Sequence, residues 1–178
     1  SLEDWMPVLA GFTVKSKADS DKFMTDFRRV RNSMFKTNFY QAMIDLAHRD
    51  GLLWHSESGG PWWRKPQIFG EADQLDFLGI NDMPQGEFWV NPYGKPGRYM
   101  NKPIANAAHI YGRNLVAIEA FTHMEMHWSM YPALLKPFVD QMFCDGANRV
   151  IWHTFTCSPE KFGKPGIEYF AGTHVNRN

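Results

Sequence analysis

Four short apolar runs recur along the chain, and each ends at an ionisable side chain. They are LLWHSE ending at Glu57, MPQGE at Glu87, LVAIE at Glu119 and VIWH at His153. Successive end points lie 30, 32 and 34 residues apart. That interval is the length of one strand–helix–strand step, so the pattern reads as βαβ units on a parallel sheet. In a closed parallel barrel every strand ends on the same face, where catalytic groups gather. The phase would therefore bring three carboxylates and an imidazole to one rim, which points to an enzyme. The expected class is α/β, with parallel βα units forming part of a (β/α)8 TIM-type barrel. The 178 residues make one domain, 1–178. A whole barrel of this kind needs about 250 residues, so four strands are half of one.

Between the strands the pattern is helical. Phe23, Phe27, Val30 and Met34 fall at i, i+4, i+7 and i+11, and Phe39, Met43 and Ala47 extend the stripe. This predicts a long helix over 21–49, capped at Ser20, broken near 32–37 and stopped at Gly51. Further helices are expected over 72–78, 103–111 and 129–144, the last kinked or restarted at Pro137. Strands are expected near 52–57, 82–89, 114–119 and 149–153. Residues 1–19 read as irregular.

Composition excludes several classes. Lys and Arg number 19 and Asp and Glu 19, with no basic block, so nucleic acid is not an expected partner. No run of about 18 apolar residues exists to span a membrane. Cys144 and Cys157 carry no motif and read as free thiols packed as small apolar groups. The acidic pair Asp73 and Asp76 reads as the solvated face of a short helix.

The chemistry points to sugars. Two carboxylates facing a cleft are what glycoside hydrolysis needs: one protonates the leaving oxygen, the other activates water or attacks the anomeric carbon. Glu57, Glu87 and Glu119 stand at expected strand ends, where none of them is explained as a solvated helix face. A strand-end Glu can also hold an Arg or cap a helix. His55 shares a strand face with Glu57, and His55, His123 and His153 are candidates for binding sugar hydroxyls, as is Trp89. Two rival readings use other residues. A non-catalytic carbohydrate-binding module would stack sugars on Trp62, Trp63, Trp89 and Trp128. A metal hydrolase would use His55, His123 and His153; the HMEMH stretch places His123 and His127 at i, i+4 but lacks the HExxH order.

Taken together, HSESGGP (55–61), GEFW (86–89), AAHIYGRNLVAIEAFT (107–122), LLKPFVDQMFCDGANRVIWHTF (134–155) and GTHVNRN (172–178) resemble glycoside hydrolase family 106, the α-L-rhamnosidases. The likeness runs from about Trp5 to the last residue. It implies inverting hydrolysis of terminal α-L-rhamnosides by two glutamates, assisted by a calcium ion that meets the sugar hydroxyls. It also implies a (β/α)8 barrel within a much larger enzyme, whose expected setting is periplasmic or secreted. Carried over motif by motif, Glu57 becomes the general acid and Glu119 the general base, with Glu87 a competitor for either role. The substrate expected is a rhamnose-containing oligosaccharide or glycoside. The resemblance places no calcium ligand on a particular residue here.

Overall fold

A computed structural model describes residues 1–57, 74–90, 101–123, 128–154 and 163. Four strands, β1 (His55–Ser56), β2 (Met83–Trp89), β3 (Ala117–Thr122) and β4 (Arg149–Trp152), form one sheet in the order β1-β2-β3-β4. All three pairings are parallel. Neighbours in sequence are neighbours in space, as in the wall of a (β/α) barrel; the sheet of the described residues is an open arc, not a closed ring.

The helical segment before β1 starts earlier than its apolar stripe suggests. After two short turns, Glu3–Trp5 and α1 (Met6–Leu9), α2 runs Lys17–Phe35. Ser16, with extended backbone, is its N-cap, and its hydroxyl accepts from the Asp19 amide at 3.1 Å. Ser20 is buried inside the first turn and pins the preceding chain instead. Its Oγ accepts from the Val14 amide and donates to the Val14 carbonyl. No break follows: α2 passes through a π-helical turn, Lys36–Gln41, into α3 (Ala42–Arg49). The wider turn rotates the stripe, so that Tyr40 and Ile44 are buried while Val30 and Met34 are 58% and 56% exposed.

The end of α3 explains why β1 is so short. Gly51 takes a φ of +72°, its amide bonds the His48 carbonyl and the Leu52 amide bonds that of Ala47 at 2.8 Å. That Schellman-type closure uses the N–H a longer strand would need. Asp82 then joins three elements. Its carboxylate accepts from the Trp54 amide at 2.8 Å, lies 2.7 Å from His48 Nε2 and is 3.8 Å from Arg113. Burial raises its pKa, but the hydrogen bonds from Trp54 and His48 and the charges of His48 and Arg113 outweigh that and hold it below the ordinary carboxylate value.

The remaining helices are α4 (Gln74–Gly79), α5 (Asn101–Ile110) and α6 (Pro132–Cys144). Helix α6 runs through Pro137 as one element, although that residue offers no amide to the carbonyl four residues back. Two apolar clusters lie between these helices and the sheet. Phe88, Ile118, Ala120 and Phe121 pack with Leu135, Phe138 and Met142 of α6. Leu78 packs with Ile104, Ala107, Ala108 and Val116. The α4–α5 contact is close enough that a Cβ at Gly79 would sit 2.2 Å from the Tyr111 ring. Asp76 is not a solvated helix face: it bonds Lys36 of the π turn and accepts from the Tyr111 hydroxyl at 2.9 Å. Cys144, at the end of α6, is free and exposed instead of packed; Cys157 and Asp73 lie outside the described residues.

Strand β3 begins two to three residues later than expected because Asn148 covers its start. The Asn148 side chain accepts from the Val116 amide at 2.9 Å and its backbone amide bonds the Val116 carbonyl. Glu119 therefore stands inside its strand, not at the end, and Glu87 lies two residues before the end of β2. Glu57 directly follows β1, and His153 directly follows β4.

Candidate active site

Strand alternation puts Gln85, Glu87 and Trp89 on one face of β2, opposite the face that carries Phe88 into the core. Glu87 is paired in register with Glu119 of β3, so their side chains emerge side by side. Glu57, arriving from β1, completes the group: carboxylate oxygens of Glu57, Glu87 and Glu119 all lie within 4.8 Å of one another. The three carboxylates that the phase singles out thus converge.

Each has its own partners. Glu57 hydrogen-bonds Glu119, and its Oε1 accepts from Gln85 Nε2 at 3.2 Å. Glu87, 2% exposed, accepts from the Trp89 indole at 2.6 Å. Glu119 Oε1 accepts from the Thr122 hydroxyl at 3.0 Å and lies 3.0 Å from His153 Nδ1. Thr122 and His153 are themselves 2.9 Å apart. On the far side, His55 Nδ1 lies 2.9 Å from Gln85 Oε1. A continuous polar row therefore crosses all four strands, from His55 through Gln85, Glu57 and Glu119 to Thr122 and His153.

Burial makes Glu57 and Glu87 hard to ionise, and the closeness of the acids adds to it. Burial, and then the Glu119 charge and hydrogen bond, push Glu57 up to about 7, against the lowering effect of Gln85. Burial pushes Glu87 to about 8; the Trp89 hydrogen bond works against the rise, and the charges of Glu57 and Glu119 add to it. At neutral pH the cluster thus retains protons, as a site for proton transfer requires.

A bulge aims Thr122 into this row. Glu87 pairs with Glu119 but Trp89 pairs with Thr122, so β3 carries one residue more than β2 over the same span. Phe121 absorbs the irregularity with a φ of +71°, an unfavourable conformation for a bulky side chain. Its ring is held in the core between Phe88, at 5.1 Å, and Trp152, at 4.6 Å.

Of the other candidates, His123 is buried one residue beyond β3. His55 and His153 stand at opposite margins of the sheet. Among the described residues the group with metal-ligand spacing is the glutamate trio, so the three-histidine metal site finds no support. Trp62, Trp63 and His127 lie outside the described residues. Trp128 sits in the turn before α6 with a φ of +63°. Of the four tryptophans proposed as a stacking platform, Trp89 contributes a hydrogen bond to the acidic cluster. Gln85 and Thr122 are the residues the sequence reading missed. Gln85 was accessible to it, two positions before Glu87 on an alternating strand; Thr122 was not, because the bulge breaks the alternation.

The chain is similar to known glycoside hydrolases. A Formosa agariphila protein described as "Putative beta-glucuronidase" is 32% identical over 178 residues, covering 99% of this chain and 14% of that protein. The solved structure of a rhamnosidase from Novosphingobium sp. PP1Y superposes with a TM-score of 0.81 at 30% identity, covering 97% of this chain and 16% of that one. The chain thus spans about a sixth or less of the length of these relatives. The family model described as alpha-L-rhamnosidase matches residues 1–178. With its whole length matched, the chain belongs to glycoside hydrolase family 106, the α-L-rhamnosidases.

Proposed function

We propose that this segment supplies the acid–base pair of an enzyme that hydrolyses terminal α-L-rhamnosides with inversion, Glu57 as general acid and Glu119 as general base. What supports it is the closeness of Glu57 and Glu119, whose carboxylate oxygens lie within 4.8 Å of each other, with burial and then Glu119 pushing the Glu57 carboxyl up to about 7. Glu57 gives that proton to the glycosidic oxygen as the bond to the anomeric carbon breaks. Glu119 takes a proton from the water that attacks the opposite face, and exchange with solvent then resets both groups. Thr122 and His153 orient Glu119 for that step.

Inverting pairs leave about 6.5–9.5 Å between carboxyl groups, and retaining pairs about 5–5.5 Å. The oxygens here are closer than the inverting gap, within 4.8 Å. On the inverting reading, substrate and water part the pair on entering, Glu57 moving because its two-residue strand holds it least. The same closeness is the observation that favours a retaining route as the alternative.

The calcium ion implied by the resemblance suits the donor chemistry, three carboxylates with no softer ligand among them. With Glu57 and Glu119 engaged as acid and base, Glu87 is the carboxylate that would hold it. A bound ion would supply positive charge to orient the sugar's hydroxyls. The proposed setting of the whole protein is periplasmic or secreted.

The deciding experiment follows the anomer released from an α-L-rhamnoside by NMR, using full-length protein that carries this segment. The β-anomer is expected first; retained configuration overturns the inverting route, and no release from a panel of rhamnosides overturns the substrate assignment.

A further inference from the structure

We propose that Gln85 is a positioning residue that fixes the tautomer of His55 and so makes His55 Nε2 an acceptor for a substrate hydroxyl. The substrate half of this rests on the function proposed above; the tautomer half rests on geometry alone.

Gln85 is 6% exposed, on the cleft face of β2 two residues before Glu87. Its amide has two chemically different ends and both are engaged. Nε2 can only donate, and it faces Glu57 Oε1 at 3.2 Å, an oxygen that accepts. With the amide oriented this way, Oε1 can only accept, and it faces His55 Nδ1 at 2.9 Å. His55 Nδ1 must therefore carry a hydrogen. A neutral imidazole has one N–H, so Nε2 is left with its lone pair.

His55 is exposed, and among the described residues its Nε2 has no partner. The result is an acceptor beside Glu57 on the sheet's open margin, which suits a ligand that arrives as a hydroxyl donor. The free tautomeric preference of imidazole would supply a donor there instead, and a sugar hydroxyl would have to turn its lone pair to meet it. The amide also acts at its other end. By occupying Glu57 Oε1 it leaves Oε2 as the oxygen that carries the transferable proton. One side chain thus sets the hydrogen-bonding polarity of two neighbours.

The test is a nitrogen NMR measurement on full-length protein labelled at histidine, at a pH well above the imidazole range. His55 of the unchanged protein should show a protonated Nδ1 and an unprotonated Nε2. A protonated Nε2 there overturns the inference, and this reading needs no variant to fold. Gln85→Met, which keeps the volume but removes the amide, should move His55 toward the Nε2–H form. Gln85→Glu restores an acceptor and should return it to Nδ1–H; identical His55 spectra in all three proteins overturn the inference. In kinetics, Gln85→Met should raise KM about tenfold, the worth of roughly one hydrogen bond to substrate. A fall in kcat alone, with KM unchanged, overturns the hydroxyl-acceptor role. Absence of rhamnoside turnover in the unchanged protein sinks the proposed function; the His55 tautomer still decides the positioning role by itself.

Discussion

Strands β2 and β3 hold Glu87 and Glu119 in register within a ladder that is buried along nearly its whole length. Strands β1 and β4 bring Glu57, His55 and His153 to the same row, but on two and four residues of strand respectively. The inner pair is thus fixed by sheet geometry and by a core of large side chains beneath it. The outer residues are held mainly by hydrogen bonds from their neighbours. The difference divides the proposed acid–base pair itself: Glu119 stands on an inner strand beside the buried Glu87, whereas Glu57 follows a strand of two residues.

That contrast should show first in activity. Glu57→Gln and Glu119→Gln, measured in full-length protein, should each lower kcat at least about a hundredfold, the usual contribution of a general acid or base. Melting temperatures should stay within a few degrees of the parent. Near-parental rates in both variants would remove the pair from the mechanism. The same experiment run against pH should show an alkaline limb near 7, because Glu57 acts as an acid only while protonated.

A second expected outcome concerns the chain by itself. The sheet of the described residues is open at β1 and at β4, and Val30, Met34 and Leu46 leave apolar surface exposed on the long helical segment. Open edges and exposed apolar faces promote association. The isolated 178-residue chain should therefore be inactive on rhamnosides and should dimerise or aggregate in light scattering. A monomer with full turnover would mean that the outer strands need no further support.

The inner strands are tested by stability. Glu87 ionises normally near 4.5 but in the fold near 8, so folding favours its protonated form. That support is complete below about pH 4.5 and is lost as pH rises through about 8. Glu87→Gln should leave the melting temperature unchanged at pH 4 and raise it by several degrees at pH 9 in the absence of calcium, each unit of pKa being worth about 1.4 kcal/mol. Added calcium should stabilise the parent at that pH and the variant much less. A variant that melts lower than the parent at alkaline pH would show that Glu87 is ionised and paired instead.

The smallest effect is expected at Thr122. Thr122→Val keeps the branched shape and removes the hydroxyl that joins Glu119 to His153. It should reduce kcat about three- to tenfold, in line with one lost hydrogen bond of roughly 1 kcal/mol. Loss as great as that of Glu119→Gln would give Thr122 a part in the chemistry itself.

The parallel order of the strands and the convergence of Glu57, Glu87 and Glu119 were legible in the sequence, because both follow from a repeat length and from an apolar run ending in a charge. Strand limits were not legible where polar backbone groups found other partners. Leu52 spends its amide on the helix stop, and Val116 on Asn148, so β1 begins late and β3 is displaced. Ser20 looked like a cap because it precedes the apolar stripe, but Ser16 has the extended backbone a cap needs. Gln85 was hidden by its chemistry: a neutral amide draws no attention in a strand until its two ends are seen to meet different partners.

The left-handed Phe121 has one more effect, best put as a matter of parity. Along an even strand, Glu119 and residue 121 would look into the cleft, and a phenyl ring would lie beside the acids. The added residue changes odd to even, so the ring goes to the core and the hydroxyl of Thr122 takes its place. Flattening the irregularity into an even strand, with all four residues from 119 to 122 kept, would reverse that exchange, leaving a greasy cleft and a hydroxyl stranded among Phe88, Ile118 and Leu135. In this segment, one backbone angle decides whether the sheet's open face is wet.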